Sequence, residues 1–187
     1  MPFLGLWPYK SLRAINVHAV IDVLKYSAMS RGKNLHYIST ASTLADPAQL
    51  WVREGGYPLS KFVAEECVRA VVDRFPNFAA AIYRPGSISG DTMNGAVNME
   101  AYINKLMAGL VQLGTFPNLS STLNWIPVDI VVKNVIQMCL QNIFPPNRLL
   151  IANLVNSASM SWQEFVTHLT HTTIFGNKYE LKSSIEY

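Results

Sequence analysis

Apolar positions along the chain follow helical spacing in some stretches and extended spacing in others. Residues 11–31 have one helix face of apolar side chains, which predicts a first helix closed by RGK. The apolar positions of this face are Leu12, Ile15, Val20, Val23 and Leu24. Three other runs predict short buried strands: NLHYIST at 34–40, FAAAIYR at 78–84 and NRLLIANLV at 147–155.

Four further helices are predicted between and after these strands. They cover about 58–75 (opened by Pro58), 97–113, 129–143 and a last segment from 161. Asp129 is expected to be an N-cap, and Ser161 with Glu164 matches a capping box. Residues 46–56 are expected to form a loop, and TLNWIPV at 122–128 a short extended piece.

Strands that alternate with helices predict an α/β fold with a mainly parallel sheet. A doubly wound sheet normally has about six strands, and its first strand–helix turn carries the phosphate-binding glycines. The sequence contains neither Gly-x-Gly-x-x-Gly nor a P-loop, because the glycines of GSISGDTMNG are wrongly spaced. We therefore expect the chain to start partway into such an α/β fold.

Composition excludes several classes of function. Charged residues make up 14% of the 187-residue chain, and the net charge of +3 is scattered, so no nucleic-acid partner is predicted. No apolar stretch is long enough for a membrane span, and the N-terminus does not resemble a signal peptide. Cys67 and Cys139 lie in apolar helical patterns, which favours buried thiols and a cytoplasmic location. His168 and His171 lack a partner cluster of ligands, so no metal site is predicted.

One pair of residues predicts chemistry. Tyr57 and Lys61 lie one turn apart on the second predicted helix. A nearby ammonium favours the phenolate, so we expect Lys61 to lower the pKa of Tyr57 and make it a proton donor to a carbonyl oxygen. Ser39 and Thr40 end the preceding strand, at the edge where parallel sheets bind ligands, and are expected to hydrogen-bond the same oxygen. Asn16 is interpreted as a buried amide outside this site.

Ordered motifs make the chain resemble a known family. YISTAST, YPLSK with AEE, and YRPGSISG are similar to the extended short-chain dehydrogenase/reductases. Four further motifs narrow the resemblance to thioester reductase domains, as in aminoadipate reductases, carboxylic acid reductases and nonribosomal peptide synthetases. These motifs are WPYKSLRAINV, NGAVN, VQLGTFPNL and WIPVD. Pro58 replaces a glycine that is usual in that family.

The resemblance implies a site and a reaction. Thr40, Tyr57 and Lys61 match the catalytic triad, and Tyr57 and Lys61 also belong to the cofactor site, where Lys61 holds the nicotinamide ribose. Residues 85–88 match the turn that meets the nicotinamide; they are Pro85, Gly86, Ser87 and Ile88. The implied reaction is NADPH-dependent reduction of an acyl or peptidyl thioester to an aldehyde or alcohol. The thioester would be carried on the phosphopantetheine arm of a carrier protein domain or on CoA.

The family's N-terminal half, with its glycine-rich turn, is not found in this sequence. The resemblance therefore implies the C-terminal part of a Rossmann-like, doubly wound parallel sheet with a small, mainly helical substrate lobe. We expect residues 1–90 to be a partial NAD(P)-binding domain with the Thr/Tyr/Lys site, and 91–187 to mix a substrate lobe with returning Rossmann elements. We also expect the chain by itself to bind NADPH weakly or undetectably and to aggregate or self-associate. Other interpretations stay open: a non-catalytic remnant or interaction module, or another extended short-chain reductase such as a fatty acyl-CoA reductase. VQLGTFP and WIPVD argue against a sugar epimerase.

Overall fold

The computed structural model describes residues 7–29, 33–45, 55–141, 144–145 and 148–171. The helices are α1 (Tyr9–Arg13), a π-helical segment (Ala14–His18), α2 (Ala19–Met29), a 3-10 helix (Ala41–Leu44), α3 (Gly56–Arg74), α4 (Tyr102–Leu113), α5 (Val128–Gln141) and α6 (Trp162–His171). The strands are β1 (Leu35–Ile38), β2 (Ala80–Pro85), β3 (Ile88–Ser89), β4 (Thr122–Leu123), β5 (Ile126–Pro127), β6 (Leu149–Leu154) and β7 (Met160–Ser161).

The three runs predicted as buried strands form one parallel sheet in the order β1-β2-β6. Leu35 pairs with Ala80, and Ala80 pairs with Leu149, so the three strands start at one level. Their carboxyl ends therefore meet at one edge of the sheet. Short connections cannot join parallel strands, which is why helices separate these three runs along the chain.

Helices cover both faces of this sheet. On one face α2 and α3 pack against β1 and β2 through a core that includes Leu24, Val68 and Ile82. On the other face α5 packs through Val131 against a core that contains Tyr83. The central strand β2 is buried on both faces, as parallel strands between helical layers are. The predicted α/β class is confirmed.

A third, smaller core lies apart from the sheet. Phe116, Trp162 and Val166 form it, and side chains of α4 and α6 pack around them. The Trp162 indole donates a hydrogen bond of 2.6 Å to the Pro117 carbonyl oxygen, which anchors the start of α6. Beside it, β4 pairs with β7 in antiparallel orientation.

The first helix differs from its prediction. Its middle segment, Ala14–His18, is π-helical, so one extra residue is inserted into the turn. The register shifts, and Val17 is buried while Ile15 is 62% exposed and Val23 is 48% exposed. The apolar positions read from regular helical spacing therefore do not form one buried face, because a spacing of 3.6 residues does not hold across a π turn.

Other helix boundaries also differ from the predicted ones. Helix α3 begins at Gly56, two residues before Pro58, and α4 begins at Tyr102 instead of Val97. Asp129 lies inside α5 and accepts hydrogen bonds from the Thr92 amide (3.1 Å) and hydroxyl (2.7 Å), so it is not the predicted N-cap.

The capping box at α6 is confirmed. The Glu164 amide donates to Ser161 Oγ over 3.1 Å, and the Ser161 amide donates to Glu164 Oε2 over 2.8 Å. Across the described ranges, no helix is both long and apolar enough to cross a membrane. Most of the expected loop at 46–56 and the end of the predicted helix at 142–143 lie outside the described residues.

Candidate active site

Thr40 lies two residues after the end of β1 and caps the 3-10 helix at the carboxyl edge of the sheet. Its Oγ1 accepts a hydrogen bond from the Ser42 amide at 3.3 Å and lies 3.3 Å from Ser42 Oγ. Both contacts are at the long end of the hydrogen-bond range, so the hydroxyl remains a competent donor to a ligand oxygen. Thr40 itself is half-buried, which keeps it accessible from that edge.

Glycines set the start of α3, the helix that carries Tyr57. Gly55 adopts φ 76°, a left-handed conformation that favours glycine, and caps the helix. The next residue, Gly56, donates its amide to the Trp7 carbonyl oxygen over 3.1 Å. A Cβ on Gly56 would lie 2.2 Å from that oxygen and 2.4 Å from the Tyr9 nitrogen. Only glycine therefore lets the two segments approach so closely. Pro58 is accommodated because the first helical turn needs no amide donors.

Lys61 connects α3 to the end of β1. Its Nζ donates a hydrogen bond of 3.0 Å to the Ile38 carbonyl oxygen, two residues before Thr40. The same ammonium lies 5.1 Å from the centre of the Tyr37 ring. Burial lowers the pKa of Lys61, and the nearby Glu65 carboxylate opposes that shift. Lys61 and Thr40 thus meet at the same edge.

Tyr57 lies one turn before Lys61 and is half-buried. Burial raises the pKa of Tyr57 above its ordinary value, because the phenolate loses hydration. The direction is opposite to the lowered pKa expected from the sequence, and its cause is desolvation of the phenolate. A raised pKa still suits a proton donor, since the phenol stays protonated at neutral pH.

A chain of side-chain contacts fixes the backbone of Tyr57. The Asn16 amide group donates to Ser60 Oγ over 2.9 Å, and the Ser60 hydroxyl donates to the Tyr57 carbonyl oxygen over 2.8 Å. Asn16 sits in the π-helical segment, a type of bulge that is frequent at functional sites. The sequence interpretation took Asn16 as a buried amide; it is half-buried, and its partner is a buried side chain of α3.

The segment predicted to meet a nicotinamide lies at the same edge. Pro85 ends β2 and is buried, whereas Ser87 and Ile88 are exposed. The Gly86 amide donates to the Leu154 carbonyl oxygen over 2.9 Å, and the Ser87 carbonyl accepts from the Ile126 amide over 2.9 Å. These bonds fix the turn between the end of β6 and β5.

One expected ligand contact is not available. Ser39 is buried, and its hydroxyl donates to Glu65 Oε1 over 2.6 Å, so it does not share a ligand oxygen with Thr40.

Sequence reasoning missed Glu65. The signal was present in its spacing, since a carboxylate four residues after Lys61 falls on the same helix face as Tyr57 and Lys61. Within the part of the chain that the structure describes, no cluster of three or more His, Cys, Asp or Glu side chains could hold a metal ion.

The fold and this edge define a Rossmann-type α/β domain of the short-chain dehydrogenase/reductase kind. Among solved structures, the terminal R domain from the myxalamid PKS-NRPS biosynthetic pathway matches with a TM-score of 0.82 and 28% identity, over 98% of this chain and 48% of that one. An R domain of a nonribosomal peptide synthetase from Mycobacterium tuberculosis, at 18% identity and a TM-score of 0.76, shares the fold. The Rossmann-like prediction is confirmed.

The chain belongs to the NAD-binding family described as male sterility protein, whose model matches residues 6–135. L-2-aminoadipate reductase of Schizosaccharomyces pombe is 27% identical over 88% of this chain. A linear gramicidin synthase of Brevibacillus parabrevis is 29% identical over 71% of it. The chain spans 13% and 3% of the lengths of these two relatives. The predicted resemblance to thioester reductase domains of the extended short-chain dehydrogenase/reductase family is confirmed.

Proposed function

We propose that this chain carries the catalytic residues of an NADPH-dependent reductase that converts an acyl or peptidyl thioester to an aldehyde or alcohol. The observation that carries the proposal is the hydrogen bond from Lys61 to the Ile38 carbonyl, two residues before Thr40, with Tyr57 one turn earlier on the same helix. Relatives named as aminoadipate reductase and as R domains of peptide synthetases support it.

Each of the three side chains has a separate role in this proposal. The Thr40 hydroxyl donates a hydrogen bond to the thioester carbonyl oxygen and helps to hold it at the sheet edge. Tyr57 binds the same oxygen and delivers its phenolic proton as negative charge develops there. When the C–S bond then breaks, the aldehyde carbonyl re-forms and the proton leaves with the carrier thiol. The Lys61 ammonium stabilises the phenolate that Tyr57 leaves behind and is held in place by the Ile38 carbonyl. A bound nicotinamide cofactor supplies the hydride.

The residues at the edge fit the nicotinamide end of such a cofactor. Lys61 contacts the end of β1, and residues 85–88 lie at the end of β2, the neighbouring parallel strand. An ammonium, a phenol and a hydroxyl at that edge would suit ribose hydroxyls and a carboxamide. In the proposal Lys61 and Tyr57 contact the ribose, and Pro85, Gly86, Ser87 and Ile88 line the nicotinamide position. The preference for NADPH over NADH rests on the family resemblance.

The chain divides in this proposal into two parts. Residues 1–90 carry the Thr/Tyr/Lys site and the cofactor turn, and residues 91–187 combine the returning strand β6 with a lobe that receives the acyl group. The separate core of Phe116, Trp162 and Val166 supports such a lobe. The carrier of the acyl group is a phosphopantetheine arm, on a carrier protein domain or in CoA.

A substrate comparison tests the proposal. The chain is incubated at saturating NADPH with an acyl thioester of N-acetylcysteamine, a mimic of the phosphopantetheine end, and with the matching oxygen ester. We expect NADPH oxidation and aldehyde or alcohol release from the thioester, and at least tenfold slower release from the ester, because the thioester carbonyl is the better electrophile. An absence of turnover would favour a non-catalytic role, and equal rates would contradict the thioester assignment.

A further inference from the structure

Helix α3 carries a buried carboxylate that the mechanism above does not use. Glu65 lies one turn after Lys61 and two turns after Tyr57, and its side chain is 0% exposed. A charged carboxylate is rarely buried unless several donors satisfy it. The identity of those donors therefore indicates which segments of the chain the Glu65 carboxylate links.

The first group of donors comes from the end of β1. Ser39 Oγ donates to Glu65 Oε1 over 2.6 Å, and Thr43 Oγ1 lies 3.1 Å from the same oxygen. Thr43 Oγ1 is also 2.8 Å from the Thr40 carbonyl oxygen, which accepts the Thr43 amide over 3.2 Å. The carboxylate thus contacts the residue directly before Thr40 and, through one hydroxyl, the backbone of Thr40 itself.

The second donor comes from the end of β2. Arg84 Nε donates to Glu65 Oε1 over 3.0 Å and lies 3.2 Å from Oε2, and Arg84 Nη2 donates to Oε2. Arg84 is 11% exposed and directly precedes Pro85 and Gly86. Such forked contacts fix orientation as well as distance. Arg69 is more distant, with Nη2 at 4.0 Å from Oε2.

We propose that Glu65 is the positioning residue of this site: it holds the Thr40 segment, the Tyr57–Lys61 helix and the turn of residues 85–88 in one geometry. The proposal rests on the proposed function for its catalytic consequence. A pair needed only to bury a charge requires one cationic partner. Here the donors Ser39 and Arg84 lie at the ends of β1 and β2, next to Thr40 and to the turn of residues 85–88. The acceptor, Glu65, lies on the helix that carries Tyr57 and Lys61.

Three variants separate positioning from general stability. Glu65→Gln keeps the shape and removes the charge. Ser39→Ala removes one hydrogen bond, leaves the Arg84 pair intact and remains informative where the buried glutamine variant does not fold. Glu66→Gln is the matched control, because Glu66 is adjacent, half-exposed and paired with Arg69 at 3.0 Å.

The first readout is amide hydrogen exchange of the chain, which needs no cofactor. We expect faster exchange in residues 39–45 and 84–88 for Glu65→Gln, and in 39–45 for Ser39→Ala, with no change for Glu66→Gln. The second readout is steady-state reduction of the acyl thioester. Misplacement of reacting groups by about 1 Å costs on the order of a hundredfold in rate, so we expect kcat to fall 10- to 100-fold in Glu65→Gln and about tenfold in Ser39→Ala. The thioester KM should stay within about threefold of wild type.

Folded Ser39→Ala protein with wild-type exchange in 39–45 and wild-type kcat would overturn the proposal. So would a Glu66→Gln variant that shows the same changes as Glu65→Gln. If the wild-type chain reduces no thioester, the proposed function fails on its own. The exchange measurement then still decides whether Glu65 orders the two strand ends.

Discussion

The Lys61 ammonium donates a hydrogen bond of 3.0 Å to the carbonyl oxygen of Ile38, the last residue of β1. This bond fixes the helix that carries Tyr57 against the strand end that leads to Thr40. The acceptor of this bond is a neutral carbonyl oxygen, so the bond itself does not neutralise the ammonium. The proposed catalysis depends on that charge.

Replacing Lys61 by Met should lower kcat/KM for thioester reduction about 100-fold, because the Tyr57 phenolate loses its stabilising ammonium. Initial rates at saturating NADPH measure the effect. Lys105→Met is the control, since Lys105 lies on α4, is partly exposed and pairs with Glu100 over 2.7 Å. A Lys61→Met variant as active as the control would remove Lys61 from the mechanism.

Gly56→Ala should destabilise the fold by about 1–3 kcal/mol, since a Cβ at 2.2 Å from the Trp7 carbonyl oxygen forces the backbones apart. Urea unfolding of the two proteins gives the difference. Gly109→Ala, inside α4, has open space around the added Cβ, and should stabilise by about 0.5–1 kcal/mol through helix propensity. Equal stability of Gly56→Ala and wild type would mean that the close approach is not maintained in solution.

The ionisation of Tyr57 should occur above pH 10, because burial raises its pKa. A titration of tyrosinate absorbance, taken as the difference between wild type and Tyr57→Phe, isolates this group. A difference signal that appears near pH 8 would instead support a phenol activated by Lys61, as the sequence pattern alone predicts.

His36 should make the fold less stable in acid. Its ring lies 2.8 Å from the Tyr83 hydroxyl, and burial lowers its pKa below the ordinary 6.5. The unfolded chain then binds a proton more readily than the folded chain, so the contribution is complete above about pH 6.5 and is lost as pH falls further. The free energy of unfolding, measured between pH 8 and 5, should fall less in His36→Gln than in wild type. Parallel curves would contradict this assignment.

The sequence predicted the sheet because its strands are continuous apolar runs bounded by turn residues, and such runs depend on local composition. The capping box of Ser161 and Glu164 was also predictable from the sequence, since both partners lie within one helical turn. The Tyr57–Lys61 spacing indicated the helix face correctly for the same reason.

What sequence reasoning missed depends on contacts between distant segments. The π turn contains Asn16, which contacts Ser60 of α3, and within this turn Val17 is buried while Ile15 is exposed. The pKa of Tyr57 depends on burial, which no spacing reveals. The role proposed for Glu65 follows from its hydrogen bonds to Ser39 and Arg84, which lie 26 residues before it and 19 residues after it in the sequence.

The central claim is that Tyr57 gives a proton to a thioester carbonyl oxygen, and one measurement tests it most directly. The rate of acyl-thioester reduction is compared between wild type and Tyr57→Phe, which loses only the hydroxyl, at saturating NADPH and neutral pH. Loss of a general acid costs about 100- to 10,000-fold, so the account predicts that kcat falls within that range while the thioester KM barely changes. A Tyr57→Phe variant with the wild-type kcat would contradict it.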